Sequence, residues 1–295
     1  MMSDMKTSDH PGRQLRDLMN KGTVMCPGAF TALVARAVAQ AGFKSVYISG
    51  GATANTAGYP DIGLISLTEM CRTIREIVTA SGLPVVVDAD TGYGEVEMVH
   101  RTVHEYAGSG AAALHLEDQV FPKRCGHLDG KTLVSTDQMV EKIKAASQAR
   151  DERGGDVIII ARTDAASVDG MDEAISRGTA YREAGADMIF PEGLKSEDEF
   201  ASFSSSCPGL LLANMTEFGK TPMMKLDKFQ DMGYDLVIYP VTMQRVAMGA
   251  VSRCLNELAR EGGADGFLDT MQTRSELYDL LDYTPGKAWS MPSRG

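Results

Sequence analysis

The sequence has no long hydrophobic run and no cysteines paired by spacing, and each absence excludes a class of protein. The longest aliphatic run near a predicted strand, residues 157–161, is far too short to span a bilayer. The five cysteines are an odd number scattered along the chain, so a disulfide framework is not expected. Basic residues are also scarce. The formal net charge of −11 disfavours nucleic acid and anionic membranes as partners.

The N-terminal segment and the length of the chain indicate the cellular location and the number of domains. Residues 1–12 are polar and contain no apolar segment of the kind found in signal peptides or membrane anchors. We therefore expect a cytoplasmic protein with reduced cysteines. The chain has 295 residues, 43% of them hydrophobic, which is enough for one full core and predicts a single domain over residues 1–295.

Eight short apolar segments recur along the chain, and helical patterns lie between them. Most are rich in Val, Ile and Leu without polar alternation, which is typical of parallel strands buried on both faces. The predicted strands are 24–26, 45–49, 84–88, 112–116, 157–161, 187–190, 210–213 and 236–239. Predicted helices include 69–80, 138–150, 171–184 and 242–260.

Regular alternation of strand and helix predicts an α/β fold, and eight units favour a (β/α)₈ TIM-type barrel over an open sheet. No Gly-x-Gly-x-x-Gly follows the first strand, which argues against a dinucleotide-binding fold. A helical segment over 271–283 is surplus to a minimal barrel, so we expect a C-terminal helical extension from about residue 263. That extension either caps the barrel or docks on a neighbouring subunit. Residues 286–295 are expected to be loosely ordered.

Polar residues follow almost every predicted strand, at the end of a barrel where active sites lie. Asp88 and Asp90 are two residues apart, so their side chains point the same way, and Glu117 arrives from the adjacent strand. Three converging carboxylates require a cation, and oxygen ligands favour magnesium, partly through bound water. Helix capping or pairing with Arg162 is the alternative. Zinc is not expected at His115 and His127, which lack the spacing of a Cys/His cluster.

Two further groups of residues are candidates for binding an anionic substrate. Ser49-Gly50-Gly51 offers a hydroxyl and accessible backbone N–H groups, although a tight turn would explain the glycines equally well. Arg162 could clamp a carboxylate or instead pair with Glu192 or Asp164.

The loop Lys123-Arg124-Cys125-Gly126-His127 is the strongest candidate for acid–base chemistry. Cationic neighbours lower the pKa of a cysteine and make it reactive. Gly126 and Gly130 allow the loop to move as a lid. A solvated basic loop is the alternative interpretation.

Several motifs together resemble the isocitrate lyase and phosphoenolpyruvate mutase superfamily, over about residues 13–283. They are Tyr47-Ile48-Ser49-Gly50-Gly51, Pro60-Asp61-Ile62-Gly63, Asp88-Ala89-Asp90-Thr91-Gly92-Tyr93-Gly94, Leu116-Glu117-Asp118-Gln119, the loop 123–127, Ala161-Arg162-Thr163-Asp164-Ala165, Asn214-Met215-Thr216-Glu217-Phe218-Gly219 and Asp269-Thr270-Met271-Gln272-Thr273-Arg274. The cysteine loop selects the lyase branch of the family, because the mutases lack it.

The resemblance implies a magnesium-dependent carbon–carbon lyase, with Mn²⁺ as a possible substitute, that cleaves 2-methylisocitrate, a tricarboxylate, to pyruvate and succinate in the methylcitrate cycle of propionate catabolism. It implies Asp88 as a direct metal ligand and Asp61, Asp90 and Glu117 as ligands through water. Cys125 becomes the general acid, and Tyr47, Arg124 and Glu117 are candidates for the base. The candidate catalytic residues are therefore Cys125, Tyr47, Lys123, Arg124 and His127. The candidate substrate-binding residues are Ser49, Gly50, Gly51, Gly126, Arg162, Glu192, Asn214, Thr216 and Arg245.

The resemblance also implies a homotetramer in which C-terminal helices are exchanged between subunits. Related lyases that act on dimethylmalate, isocitrate or oxaloacetate share the cysteine loop and stay open as alternatives. A barrel that binds an acid without catalysis, and magnesium-dependent hydroxymethyl transfer on a related barrel, are the other hypotheses. Neither needs the cysteine loop.

Overall fold

The computed structural model describes residues 10–126, 128 and 130–290. The eight predicted strands are all present. They are β1 (Val24–Pro27), β2 (Val46–Ile48), β3 (Val85–Asp88), β4 (Ala113–Glu117), β5 (Ile158–Thr163), β6 (Met188–Pro191), β7 (Leu212–Asn214) and β8 (Leu236–Tyr239). The predicted bounds agree with these to within two residues, and for β8 they coincide.

Helices precede, separate and follow the strands. They are α1 (Pro11–Met19), α2 (Ala32–Gln40), α3 (Gly50–Thr56), α4 (Leu67–Ser81), α5 (Val96–Ser109), α6 (Thr136–Glu152), α7 (Met171–Glu183), α8 (Glu197–Ser206), α9 (Leu226–Asp231), α10 (Thr242–Glu261) and α11 (Arg274–Leu280). Short 3₁₀ helices lie at Ala165–Ser167 and Asp265–Thr270. Among the helices in these described ranges, none is both long and apolar enough to cross a membrane.

Every strand pairing is parallel, which gives the α/β fold of the TIM-barrel type that the sequence predicts. One sheet has the order β2-β3-β4-β5-β6 and the other the order β1-β8-β7. Single parallel bridges, from Gly28 to Tyr47 and from Ile189 to Leu211, link the edges of the two sheets. The carboxyl ends of the strands therefore face one side of the molecule.

The strands are apolar on both faces because two separate hydrophobic clusters cover them. In β3, Val85 and Val87 face the outer cluster under the helices, whereas Val86 faces the inner cluster. This alternation follows from the two-residue period of a strand. Leu15 and Met19 of α1 also belong to the inner cluster, so α1 covers it.

Local sequence signals explain where several helices begin and end. Ser66 and Glu69 form a capping box at the start of α4, and Gly82 ends that helix in the left-handed conformation with φ 66°. Ser135 and Gln138 form the same box at the start of α6. These signals place the turns before β3 and after the cysteine loop.

The C-terminal segment differs from the rest in its packing. None of the residues of α10 is buried, and its apolar side chains Val246 and Leu255 are 66% and 58% exposed. By contrast, α11 lies against its own chain, where Arg36 Nη1 donates to the carbonyl oxygen of Leu280 at 3.2 Å. In the expected loose tail 286–295, the Trp289 indole N–H donates to the carbonyl oxygen of Leu281 at 3.0 Å. Residues 291–295 lie outside the described residues.

Candidate active site

A cavity of about 370 Å³ opens at the carboxyl ends of the strands. That volume falls within the range of small-molecule sites. Most of the predicted site residues line it. These are Tyr47, Ser49, Gly51, Asp61, Asp88, Lys123, Cys125, Gly126, Arg162, Glu192, Asn214, Thr216 and Arg245. The structure thus places these predicted residues around one cavity.

A cluster of four carboxylates lies at the floor of this face. Asp88 ends β3 and Glu117 ends β4, whereas Asp90 and Asp61 lie in the loops that follow β3 and α3. Both Asp90 and Glu117 are buried. Burial and the neighbouring Asp88 carboxylate raise the pKa of Asp90 to about 6. Burial also raises the pKa of Glu117 well above its usual range. Burial therefore disfavours the charged forms of Asp90 and Glu117.

Lys123 supplies positive charge to this cluster in a way that the sequence did not reveal. Its buried ammonium pairs with Asp61 and lies 2.7 Å from Asp90 Oδ1. The sequence suggested that Lys123 tunes Cys125, two residues away. The structure instead directs its side chain at the carboxylates, because the loop that carries it folds back over the ends of β3 and β4.

The carboxylate cluster fits a magnesium ion by its chemistry and by its unsatisfied oxygens. All four donors are carboxylate oxygens, which are the ligands that this hard cation prefers. Both side-chain oxygens of Glu117 are buried and accept no hydrogen bond from the residues that the structure describes. The nearest cation to Glu117 is Arg162, whose Nη1 lies 3.3 Å from Oε2. Asp88, Asp90, Asp61 and Glu117 are the residues that would hold the ion.

The glycine pair at the start of α3 makes room for these aspartates. A Cβ atom at Gly50 would lie 3.0 Å from Asp88 Oδ2, and one at Gly51 would lie 2.9 Å from Asp61 Oδ2. The backbone N–H of Gly50 donates to Asp88 Oδ2 at 3.0 Å, and Ser49 Oγ caps α3 by accepting from the N–H of Ala52. In this conformation these two groups are thus engaged within the protein, and their role as a substrate cradle stays a prediction.

Arg162 is held in a fixed orientation by Asp164. Its Nε and Nη2 donate to the two oxygens of Asp164 at 3.0 and 3.2 Å. The remaining Nη1 lies 3.6 Å from Glu192. Asp164 and Glu192, which the sequence analysis considered as structural partners, both lie beside Arg162. The buried guanidinium lines the cavity. This arrangement suits a residue that binds a carboxylate.

Two residues that the sequence analysis did not select fix the cysteine loop. Gln119 donates to the carbonyl oxygen of Arg124 at 2.9 Å and accepts from the N–H of Arg124 at 2.8 Å. The buried Lys131 ammonium donates to the carbonyl oxygen of Gly126 and, at 2.7 Å, to Asp164 Oδ1. Gln119 is the last residue of the motif Leu116-Glu117-Asp118-Gln119 and Lys131 follows Gly130, so only their positions in or beside the motifs could have indicated them.

These contacts place the loop over the cavity. Cys125 is half-buried and lines the cavity, whereas the Arg124 side chain is exposed. A Cβ atom at Gly126 would collide with Arg162 and Glu192, so only glycine lets the loop approach so closely. His127, a predicted catalytic residue, lies outside the described residues.

Tyr47 has a partner within the barrel that the sequence did not reveal. Its hydroxyl lies 2.8 Å from His115 Nε2, and both side chains are buried. Burial and then the charge of Asp88 raise the pKa of Tyr47 well above its usual range. The phenol is therefore protonated near neutral pH, which argues against Tyr47 as a resting base.

The polar residues on the far wall are also arranged in pairs. Asn214 Nδ2 donates to Glu192 Oε2 at 3.0 Å, and Thr216 is buried nearby in the same wall. Arg245 Nη1 lies 3.1 Å from Glu217 Oε2, at the exposed rim. The substrate-binding roles of Glu192, Asn214, Thr216 and Arg245 stay predictions, since the structure gives their positions alone.

Comparison with known proteins finds relatives that are named as lyases. A probable 2-methylisocitrate lyase 1 of Corynebacterium glutamicum is 54% identical over 258 residues, which cover 87% of this chain and 84% of that protein. A 2,3-dimethylmalate lyase of Eubacterium barkeri is 44% identical, covering 91% of this chain and 93% of that protein.

The fold also matches solved structures along nearly its whole length. The crystal structure of a phosphonopyruvate hydrolase in complex with oxalate and Mg²⁺ is 30% identical with a TM-score of 0.82, covering 92% of this chain and 94% of that chain. The model of the phosphoenolpyruvate phosphomutase family matches residues 15–259. A family match over most of the chain, together with relatives of this identity, shows that the chain belongs to the phosphoenolpyruvate phosphomutase family.

Proposed function

We propose that this protein is a magnesium-dependent carbon–carbon lyase that cleaves 2-methylisocitrate to pyruvate and succinate. The observation that carries the proposal is that Cys125, Arg162 and Asp88 line one cavity. An acid, a carboxylate-binding cation and a metal-binding carboxylate are thereby present in the same space. The 54% identity to a probable 2-methylisocitrate lyase supports this substrate.

The reaction begins with loss of a proton from the substrate hydroxyl. When bound, Mg²⁺ would supply Lewis-acid polarisation at the hydroxyl and carboxylate that become pyruvate. The carbon–carbon bond then breaks, and its electron pair passes to the succinate fragment as an enolate of a carboxylate. Of the three candidates for the base, Tyr47 has a strongly raised pKa and Arg124 is exposed. Glu117 is a buried carboxylate whose pKa burial also raises, so a raised pKa by itself does not separate it from Tyr47 as the base.

Positive charge is required at the succinate fragment because one carboxylate there gains a second negative charge as the enolate forms. The Arg162 guanidinium is buried at the cavity wall and held by Asp164, so it needs no reorganisation during the reaction. Asn214 and Thr216 add a polar wall beside it. The Arg162 guanidinium also supplies local positive charge to a tricarboxylate, which the formal net charge of −11 would otherwise repel.

Cys125 completes the cycle by protonating the carbon of the enolate. Its thiol hydrogen passes to that carbon, and the thiolate is reprotonated before the next turnover. The loop places Cys125 at the mouth of the cavity, and Gln119 and Lys131 hold the flanking backbone. A positioned general acid contributes about 10²–10⁴-fold to the rate.

A lyase for 2,3-dimethylmalate is the second candidate, favoured by the 44% identity to the Eubacterium barkeri enzyme. Either substrate is cleaved at the same carbon–carbon bond. The catalytic residues therefore do not distinguish between the two substrates. The two substrates differ by one carboxylate, so the polar and charged groups at the cavity wall decide between them.

A coupled assay for the oxo-acid product, with direct detection of oxalate when oxaloacetate is the substrate, tests both candidates. The full-length protein with Mg²⁺ is given 2-methylisocitrate, 2,3-dimethylmalate, isocitrate and oxaloacetate in separate reactions. We expect kcat/KM for 2-methylisocitrate to exceed the others by at least tenfold. A preference for dimethylmalate would replace the proposed substrate, and no turnover of any of the four would support a non-catalytic acid-binding barrel.

We also propose that the two sheets form a closed barrel. We propose that the protein assembles as a homotetramer in which C-terminal helices are exchanged between subunits. Its proposed location is the cytoplasm, and its proposed pathway is propionate catabolism. The exposed apolar residues of α10, including Val246 and Leu255, support an assembly in which another subunit covers that helix. Light scattering after size exclusion should give the mass of four chains. Leu255→Asp should give a smaller species, whereas Arg260→Asp, at an exposed charged position of the same helix, should not.

A further inference from the structure

Three potential metal ligands meet on the outer helix layer, away from the cavity. His100 and His104 are one helical turn apart on α5, and Glu152 is the last residue of α6. The Nε2 atoms of His100 and His104 lie 2.9 and 3.4 Å from the same carboxylate oxygen, Glu152 Oε2. The ligand atoms of the three residues all lie within 4.8 Å of one another.

This spacing is close to that of a tetrahedral metal site. Ligand atoms bound to zinc at 2.0–2.1 Å with tetrahedral angles lie about 3.3 Å from each other. The two measured nitrogen–oxygen distances, 2.9 and 3.4 Å, bracket that value. The two imidazole rings already face each other with centroids 4.9 Å apart. The ligand nitrogens of the two histidines lie within 4.8 Å of each other, so rotation of these partly exposed side chains is what would bring the three atoms around one ion.

The surrounding structure orients the ligands. Two histidines at positions i and i+4 share one face of a helix, which is the arrangement that many zinc sites use. The other oxygen of Glu152 accepts from Gln148 Nε2 at 2.8 Å, so Oε2 is left directed at the histidines. A carboxylate that is itself hydrogen-bonded is typical of ligands in metal sites.

We propose that His100, His104 and Glu152 form a second metal site, for a late first-row divalent cation such as Zn²⁺. Two imidazoles and one carboxylate suit zinc, nickel or copper, whereas magnesium prefers oxygen ligands alone. The site is chemically distinct from the carboxylate cluster in the cavity. Because its ligands come from two adjacent helices, a bound ion clips α5 to α6 and stabilises the helix layer.

Calorimetric titration of the full-length, metal-free protein with Zn²⁺ tests the proposal, with excess Mg²⁺ present to fill the carboxylate cluster. The comparison is between the wild type and the double variant His100→Ala/His104→Ala. We expect the wild type to bind one more Zn²⁺ per chain than the double variant. Each single variant should weaken that binding by about tenfold or more. Subtracting the Zn²⁺ bound by the double variant from that bound by the wild type removes any contribution from cysteines or from the cavity.

Thermal unfolding gives an independent measurement, because an ion that binds only the folded state raises the melting temperature. Saturating Zn²⁺ should raise it by about 4 °C more in the wild type than in the double variant. His10→Ala is the matched control, since His10 lies near a single carboxylate, 3.9 Å from Asp156. Equal Zn²⁺ stoichiometry and affinity in wild type and double variant would overturn the proposal. An equal loss of the Zn²⁺-dependent rise in melting temperature in His10→Ala would also overturn the proposal.

Discussion

Lys131 and Asp164 form an ion pair in the interior of the active-site face. Lys131 Nζ lies 2.7 Å from Asp164 Oδ1, and the two side chains are 1% and 0% exposed. The same ammonium holds the carbonyl oxygen of Gly126 in the cysteine loop, while the same carboxylate holds Arg162. One pair of residues therefore ties the loop that carries the proposed general acid, Cys125, to the proposed substrate-binding cation, Arg162.

Lys131→Met should uncouple the cysteine loop from this network. Methionine has a similar length but donates no hydrogen bond, so the Gly126 carbonyl and Asp164 lose a partner. Breaking a buried pair costs about 3–5 kcal/mol of unfolding free energy. We expect kcat to fall more than KM rises, measured with saturating Mg²⁺.

The alkylation rate of Cys125 separates loop release from general destabilisation. It should rise in Lys131→Met, measured by mass spectrometry at a temperature where the variant is folded. Lys144→Met is the control, because Lys144 makes an exposed pair with Glu141 at 2.9 Å and such pairs contribute little. Unchanged kcat and unchanged alkylation in Lys131→Met would contradict a positioning role.

Asp164 should contribute to the loss of stability in acid. Burial would raise its pKa, but Arg162 and Lys131 lower the pKa from 3.8 to about 2 in the folded protein. A carboxyl with a depressed folded pKa stabilises the fold above its unfolded pKa. That stability is lost as the pH falls from about 4 to about 2. The size is about 2 kcal/mol, from 1.36 kcal/mol per pKa unit.

Urea unfolding of the wild type and Asp164→Asn at a series of pH values checks this. The difference in unfolding free energy between the two should shrink by about 2 kcal/mol between pH 5 and pH 2. Asp282→Asn is the control, since Asp282 is 81% exposed in its pair with Arg36. A difference that stays constant with pH would show that the Asp164 carboxyl does not titrate in this range.

Cys125→Ser should bind substrate but turn it over slowly. The serine hydroxyl is similar in size and a much weaker acid, so protonation of the enolate slows by about 10²–10⁴-fold. Steady-state kinetics should show this fall in kcat with little change in KM. Cys254→Ser, in α10 and away from the cavity, should retain wild-type kcat. Near wild-type turnover by Cys125→Ser would remove Cys125 from the role of general acid.

Removal of divalent cations should abolish activity, and added Mg²⁺ should restore it. Lys123 pairs with Asp61 and Asp90, whereas Glu117 lies 3.3 Å from Arg162 Nη1 and accepts no hydrogen bond from the described residues. Asp88→Asn should raise the Mg²⁺ concentration needed for half activity by at least tenfold. Glu141→Gln, an exposed substitution on α6, should not. Full activity in excess chelator would contradict the metal requirement.

The strands were predictable because parallel strands covered on both faces must be apolar throughout. Residues such as Val85, Val86 and Val87 give an unbroken signal of that kind. The starts of α4 and α6 were less clear from periodicity, and the capping boxes at Ser66 and Ser135 extended both helices by two residues. Helix ends depend on side-chain hydrogen bonds that periodicity does not register.

The site residues were predictable where a motif and a strand end coincide, as at Asp88, Glu117 and Arg162. The partners that hold them were not. His115 reaches Tyr47 across 68 positions of sequence, and Lys131 reaches Asp164 across 33. Such contacts arise because parallel strands bring distant segments to one edge, and no local pattern records which side chains then meet.

The sequence by itself determined the alternation of strands and helices, the family, and the residue types that carry acid, cation and metal-binding chemistry. These follow from local patterns and from motifs of adjacent residues. Only the tertiary structure decided that Lys123 faces the carboxylates, that Asp164 joins Arg162 to the cysteine loop, and that two histidines of α5 meet Glu152. The physical reason is that each of these depends on how separate elements pack, and a side chain's partner is set by its neighbours in space.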